Sequence, residues 1–179
     1  MSKLMKTLTL LAFMLVTNVF AGKFQEMMCD YKSLSLSYCI NHYDRQCKAK
    51  DYTACDLLGR LHDEQEQYGK AKKYLEMVCD KANNKDMFSM RTSCLYLGRY
   101  YHDGLGVRQS YEKAFHYYKK GCDVKPNSGC YLILGIHYNN GDGVIKRNLS
   151  KAKELFGIAC DLGSQEGCDY YKELKEEGY

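Results

Sequence analysis

The sequence is almost without proline: one in 179 residues, and tryptophan is missing altogether. It also lacks a one-sided charge. Lys plus Arg number 26 against 22 Asp plus Glu, a net charge of +4 with no basic cluster, which argues against nucleic acid as the partner. It has no C-x-x-C, so thiol oxidoreductases and c-type haem attachment are excluded. It has no H-x-H or H-E-x-x-H among its five histidines, so a zinc hydrolase finds no ligand set and no metal or cofactor is expected. Scarce proline with abundant Ala, Leu, Lys, Glu and Tyr favours helices. A hydrophobic share of 45% with 27% charged residues is that of a globular chain rather than a disordered one. What is plentiful is cysteine, ten residues, and tyrosine, seventeen.

The N-terminus supplies a compartment for those cysteines. Lys3 and Lys6 precede an apolar run from Leu8 to Val16, followed by Val19-Phe20-Ala21. A short positive head, an apolar core too short to span a bilayer with margin, and a small residue at the end predict a secretory signal peptide over residues 1–21, cleaved after about Ala21. No cysteine follows the cut to carry a lipid, and no transmembrane anchor is expected in the mature chain. The product is expected to be secreted or periplasmic. An even, dense set of cysteines in an exported chain implies a disulfide framework.

The cysteines also reveal a repeat. Cys47/Cys55, Cys122/Cys130 and Cys160/Cys168 share the spacing C-x7-C, and Cys79/Cys94 is the same pair with seven extra residues in the polar stretch Lys81–Ser93. Between pairs, each segment opens with an apolar helix pattern around Gly59, Gly98 or Gly135. Each closes with an Ala (Ala71, Ala114 or Ala152) eight residues before its last cysteine. A period of about 36 to 43 residues is that of stacked helix pairs. Residues 22–46 then form a truncated N-terminal half-repeat, and 47–179 the array, closed by a polar capping helix near Glu166 to Glu177. Each C-x7-C pair falls between the end of one unit and the start of the next, so the repeat logic bonds Cys47–Cys55, Cys79–Cys94, Cys122–Cys130 and Cys160–Cys168. Cys29–Cys39 is left over and pins the half-repeat. Each staple is worth about 2–3 kcal/mol in the chain-entropy account.

The motifs Leu97-Gly98-Arg99-Tyr100-Tyr101, Gly104-Leu105-Gly106-Val107 and Lys113-Ala114 resemble the Sel1-like repeat, a relative of the tetratricopeptide repeat. The same pattern returns at Leu134-Gly135-Ile136-His137-Tyr138, Gly141-Asp142-Gly143-Val144 and Lys151-Ala152. With the C-x7-C pairs and the exported N-terminus, the chain resembles the Helicobacter cysteine-rich protein family over about Cys47 to Tyr171. The first unit departs from the pattern by lacking Gly-x-Gly-Val. The resemblance implies an all-α, right-handed α-solenoid. A mitochondrial intermembrane-space factor of the cysteine-rich Sel1 type would share the stapled helix pairs, but the Arg-poor leader argues against it.

The resemblance further implies penicillin binding and weak β-lactamase activity. A serine enzyme of that kind places a Lys one helical turn after its nucleophile. Ser110-x-x-Lys113 and Ser150-x-x-Lys153 fit, but no S-D-N or K-T-G accompanies them, and both serines stand where a helix begins, the place of an N-cap. The competing class is a non-catalytic scaffold whose concave groove binds a protein peptide segment, or a cell-wall peptide or glycan. Similarity to tetratricopeptide repeats places groove residues one, four and five positions after the repeat glycine. These are Arg60, Asp63 and Glu64, then Arg99, His102 and Asp103, then Ile136, Asn139 and Asn140.

Overall fold

The computed structural model describes Cys29 and residues 35–81, 86–141 and 146–179. The expected signal peptide and its cleavage site lie outside the described residues. The chain divides into two compact units, residues 1–42 and 43–179, the boundary falling within the first described helix. Among the described residues there are eight α-helices and no strand: α1 (Leu36–Lys48), α2 (Tyr52–Glu64), α3 (Tyr68–Lys81), α4 (Met87–Asp103), α5 (Tyr111–Val124), α6 (Ser128–Asn140), α7 (Leu149–Asp161) and α8 (Gln165–Glu176). The second unit is an array of helix pairs, α2/α3, α4/α5 and α6/α7, followed by α8. Each second helix also packs against the first helix of the next pair.

Short polar side chains start these helices. Asp51, Ser110, Asn127, Asn148 and Ser164 each accept a hydrogen bond from the backbone N–H three residues on, satisfying one of the free donors of the first turn. Gly104 and Gly141 end α4 and α6 at φ of 74° and 70°, left-handed values that suit glycine. Their N–H groups donate to Tyr100 O and His137 O. Each hairpin then closes in the same way, Ser110 N donating to Tyr101 O and Asn148 N to Tyr138 O, both at 2.8 Å.

Within each pair one contact recurs. A residue four positions after the inward alanine sits on the repeat glycine: Leu75 on Gly59, Tyr118 on Gly98 and Phe156 on Gly135. A β-carbon at any of the three glycines would overlap that side chain, so the glycine sets how closely the helices approach. Ala71, Ala114 and Ala152 are themselves fully buried, one turn earlier on the same face. In the central core Ala71, Leu75, Leu97 and Tyr100 surround the Cys79–Cys94 sulfurs, with Leu105 and Val107 of the Gly-x-Gly-Val turn packed against them. A second cluster gathers Leu149, Ala152, Phe156 and Leu174, with Leu132 and Ile136 of α6.

All ten cysteines are disulfide-bonded: Cys29–Cys39, Cys47–Cys55, Cys79–Cys94, Cys122–Cys130 and Cys160–Cys168, with Cα–Cα distances from 4.5 to 5.6 Å. Three of the bonds tie the last turns of one helix to the first turn of the next, and Cys79–Cys94 ties the end of α3 to the middle of the longer α4. The stretch expected as a long loop before Cys94 differs. Residues 87–93 are helical, so α4 has 17 residues where α2 and α6 have 13, and the insertion lengthens a helix as well as a loop. Met87, Phe88 and Met90 supply apolar residues that the polar flavour of that stretch had masked.

Candidate functional site

The first helices of successive pairs approach one another differently: α2 packs along α4 in a seam, whereas α4 and α6 touch only locally. Between α2 and α4 the seam is polar. Ser89 Oγ donates to Thr53 Oγ1 at 3.4 Å, and Ser93 Oγ to Asp56 Oδ1 at 2.7 Å. Arg99 Nη2 donates to both carboxylate oxygens of Asp63, at 2.6 and 2.8 Å, and Tyr100 Oη donates to Asp63 Oδ1 at 2.6 Å. Partners lie 36 or 37 residues apart, one repeat, so the contacts run down both helices in register. Arg60 lies on the same α2 face as Asp56 and Asp63, its Nη1 3.9 Å from Asp56 Oδ2.

These acids are held as structural acceptors. Asp56 is 3% exposed at its side chain and Asp63 12%. Burial pushes the Asp56 carboxyl up to about 6, against the Ser93 hydrogen bond and the Arg60 charge. Burial and the Asp63 carboxylate push the Tyr100 hydroxyl far up, so it stays a donor. The cations remain at the surface, Arg60 40% and Arg99 43% exposed. The seam therefore shows solvent its donors and hides its acceptors.

Between α4 and α6 the polar series stops. The positions equivalent to Asp56 and Asp63 are Leu95 and His102, and those equivalent to Ser93 and Tyr100 are Cys130 and His137. His102 and His137 face each other with ring centroids 5.8 Å apart, where the first seam has Asp63 and Tyr100. Beside them opens a pocket of about 240 Å³ lined by Leu95, Tyr96 and Arg99 of α4, Tyr118 of α5 and Ile133 of α6. Burial pushes the Tyr118 hydroxyl up to about 12, with the Asp103 charge adding to it, so the pocket wall is neutral. The Arg99 guanidinium lies 4.9 Å from the Tyr96 ring centroid, and its Nε is buried with no acceptor among the described residues. The pocket is an apolar recess with a fixed cation at its rim.

The expected groove residues fall into distinct roles. Arg60, Asp63 and Arg99 come together on the α2–α4 seam. His102 Nδ1 lies 2.6 Å from Asp103 Oδ1 and its ring rests edge-on to Tyr111. Glu64 is exposed at the end of α2. Asn139 Nδ2 donates to Asn140 Oδ1 at 3.4 Å, and Arg147 Nε donates to Asn139 O, which engages these residues at the end of α6. Ile136 packs against the Leu149 and Phe156 cluster. Leu95, Tyr96 and Ile133, which line the pocket, are not among the expected groove residues; Leu95 reads as an apolar position of the first helix. Their signal is present in the sequence: they stand two or three residues before a repeat glycine, beside the buried turn rather than in it, and they are apolar where a solvated face would be polar.

The two Ser–Lys pairs are not brought together as catalytic dyads. Ser110 Oγ accepts from the Lys113 backbone N–H as the cap of α5, while Lys113 Nζ sits 5.2 Å from the Tyr101 ring centroid. Ser150 is not a cap. Asn148 fills that place on α7, Ser150 is exposed one turn-start later, and Lys153 Nζ donates to Tyr179 O. Among the described residues no hydrogen bond joins either serine Oγ to its lysine Nζ.

Comparison with known proteins agrees with this architecture. The Sel1 repeat family matches residues 92–124, from within α4 to the end of α5, and 129–164, which take in nearly all of α6 and the whole of α7. The chain thus carries two Sel1 repeats, in an array whose cysteines are all paired. Helicobacter pylori cysteine-rich protein B is 29% identical with a TM-score of 0.54, covering 75% of this chain and 92% of that one. The Sel1-repeat-containing protein YjcO of Escherichia coli K12 is 24% identical over 71% of this chain, which spans about half, 55%, of YjcO. The fold is shared with c5321, a protective antigen of uropathogenic E. coli strains, at a TM-score of 0.65 and 21% identity, over 78% of this chain and 29% of that one.

Proposed function

We propose that this protein is a non-catalytic binding scaffold of an extracytoplasmic compartment, and that its ligand is a peptide segment of a partner protein lying across the first helices. The observation that carries the reading is the change of seam. The α2–α4 contact is filled by its own side chains, whereas the α4–α6 contact leaves a recess with apolar walls and a cation at the rim. Such a recess suits one apolar side chain of an extended segment, with Arg99 placed to meet a backbone carbonyl or a carboxylate beside it. Arg99 is preorganised by Asp63, which lowers the ordering cost of binding. Five disulfides support export, since such bonds persist in oxidising compartments. A cleaved leader over residues 1–21 and a half-repeat over 22–46 belong to the same proposal. The β-lactam hydrolysis implied by the family resemblance has no assembled Ser–Lys pair to support it.

The test is selection of a displayed random peptide library on the purified oxidised protein, repeated with Ile133→Glu. Enriched peptides sharing an apolar anchor, bound by the parent and lost in a variant of unchanged melting temperature, support the reading. Peptides that bind parent and variant alike, or no enrichment at all, overturn it.

A further inference from the structure

We propose that the bound segment is acidic: an internal Asp or Glu on either side of, or next to, its apolar anchor meets the guanidinium groups of Arg60 and Arg99. This rests on the pocket reading above and adds the charge of the ligand. It follows from how the seam distributes its charges. The two acids that balance these arginines are spent inside the protein. Asp56, 3% exposed, accepts from Ser93, and Asp63, 12% exposed, accepts three hydrogen bonds from Arg99 and Tyr100. The arginines are two-fifths exposed, and each keeps donors that the protein does not use. Arg60 reaches its nearest carboxylate oxygen at 3.9 Å, beyond a good hydrogen bond, and Arg99 uses only Nη2 on Asp63. Between Asp56 and Asp63 a ligand crossing this face meets the N–H donors of the two arginines, while the exposed carboxylates Glu64 and Asp103 stand at the far ends of α2 and α4.

The spacing selects side-chain carboxylates over a chain terminus. Arg60 and Arg99 hold equivalent places on neighbouring first helices, one and the same position after Gly59 and Gly98. Packed helices stand about 8–10 Å apart, and an extended chain rises about 3.3 Å per residue, so acids about three residues apart reach both arginines. One terminal carboxylate reaches one. Guanidinium matches carboxylate in geometry, and its charge is already oriented here by Asp63 and by the Tyr96 ring beneath it.

The experiment uses amidated synthetic versions of the selected peptides, each paired with a copy in which Asp and Glu are replaced by Asn and Gln. Binding is followed by fluorescence anisotropy against the oxidised protein. The acid-to-amide change is expected to weaken binding at least about tenfold, as loss of a charge-assisted hydrogen bond does. Arg60→Gln removes a guanidinium whose one ion pair among the described residues is the long one to Asp56, and it should shrink that difference while retaining the apolar anchor. Equal binding of acid and amide peptides, or enrichment of basic ones, overturns the acidic ligand and leaves the pocket standing. Peptides that bind only with a free C-terminus overturn the internal carboxylate. Selected peptides without any apolar anchor sink the pocket reading itself.

Discussion

Arg99 and Asp63 lie one repeat apart and meet through two hydrogen bonds of 2.6 and 2.8 Å, with the fully buried Tyr100 hydroxyl closing on the same carboxylate. The pair joins two units of the array and also aims the cation at the pocket. Asp63→Ala should therefore cost about 2–4 kcal/mol, because it strands a buried donor and a half-buried charge together. Asp63→Asn keeps an acceptor for Tyr100 and should cost less. Urea unfolding of the oxidised variants measures both. Equal losses would mean that the Tyr100 acceptor contributes nothing.

The contact between Gly135 and Phe156 makes a different demand. A methyl group at Gly135 would meet the Phe156 ring at 2.6 to 2.7 Å, a distance that forces the helices apart. Gly135→Ala should destabilise by about 1–3 kcal/mol, the range of overpacking. Adding Phe156→Leu should recover part of the loss, since the ring that causes the overlap is gone. A double variant less stable than the sum of its singles would place the strain elsewhere.

These glycines show what the sequence makes legible. Gly59, Gly98 and Gly135 recur at one place in each unit, as do Ala71, Ala114 and Ala152, because close packing of one helix pair demands the same small residues every time. The C-x7-C spacing is legible for the same reason, since three of the four junctions along the array keep the same short connection. What joins different units is harder to read. Asp63 and Arg99 are 36 residues apart and stand at different positions after their repeat glycines, so the repeat names each as a groove residue without pairing them. Leu95, Tyr96 and Ile133 look like core residues until the neighbouring helix is seen to leave a gap beside them. The polar run before Cys94 reads as a loop because its two asparagines and lysines outweigh Met87, Phe88 and Met90, which the helix places one turn apart or adjacent.

Asp56 gives the array a pH dependence of defined sign. Its folded carboxyl is pushed up to about 6 by burial, against 3.8 as the ordinary value. The folded protein thus holds this proton more tightly than the unfolded chain. The cost of the buried charge is felt in full above pH 6, is relieved as pH falls through 6, and is gone below about 3.8. Asp56→Asn removes that cost. The variant should be more stable than the parent at pH 7, by up to about 3 kcal/mol, and the difference should shrink to about 0.5 kcal/mol by pH 4 and vanish below pH 3.8. His62 works the other way: burial, first, and the Lys70 charge hold its imidazole below the ordinary value against the Gln67 hydrogen bond. Its contribution is present above about 6.5 and is lost as pH falls through the lowered folded value. Because His62 is common to both proteins, the difference between them isolates Asp56. A difference that does not change between pH 4 and 7 would show that Asp56 does not titrate in this window.

Ser110 separates the structural from the catalytic reading of the Ser–Lys pairs. As the cap of α5 its Oγ accepts the Lys113 N–H at 3.3 Å, so Ser110→Ala should cost about 1 kcal/mol of stability, and Ser110→Asp should retain most of it. As a nucleophile it would need its lysine amine within reach, but Lys113 Nζ rests over Tyr101. Hydrolysis of a chromogenic β-lactam by the oxidised protein should then not exceed that of a mock preparation purified in parallel. The Ser110→Ala and Ser150→Ala variants should match the parent. Turnover that follows the protein through purification and disappears in Ser110→Ala, while Ser110→Asp folds as well as the parent, would reverse the assignment. The cap would then double as a nucleophile, and Lys113 would have to leave the Tyr101 ring to serve it.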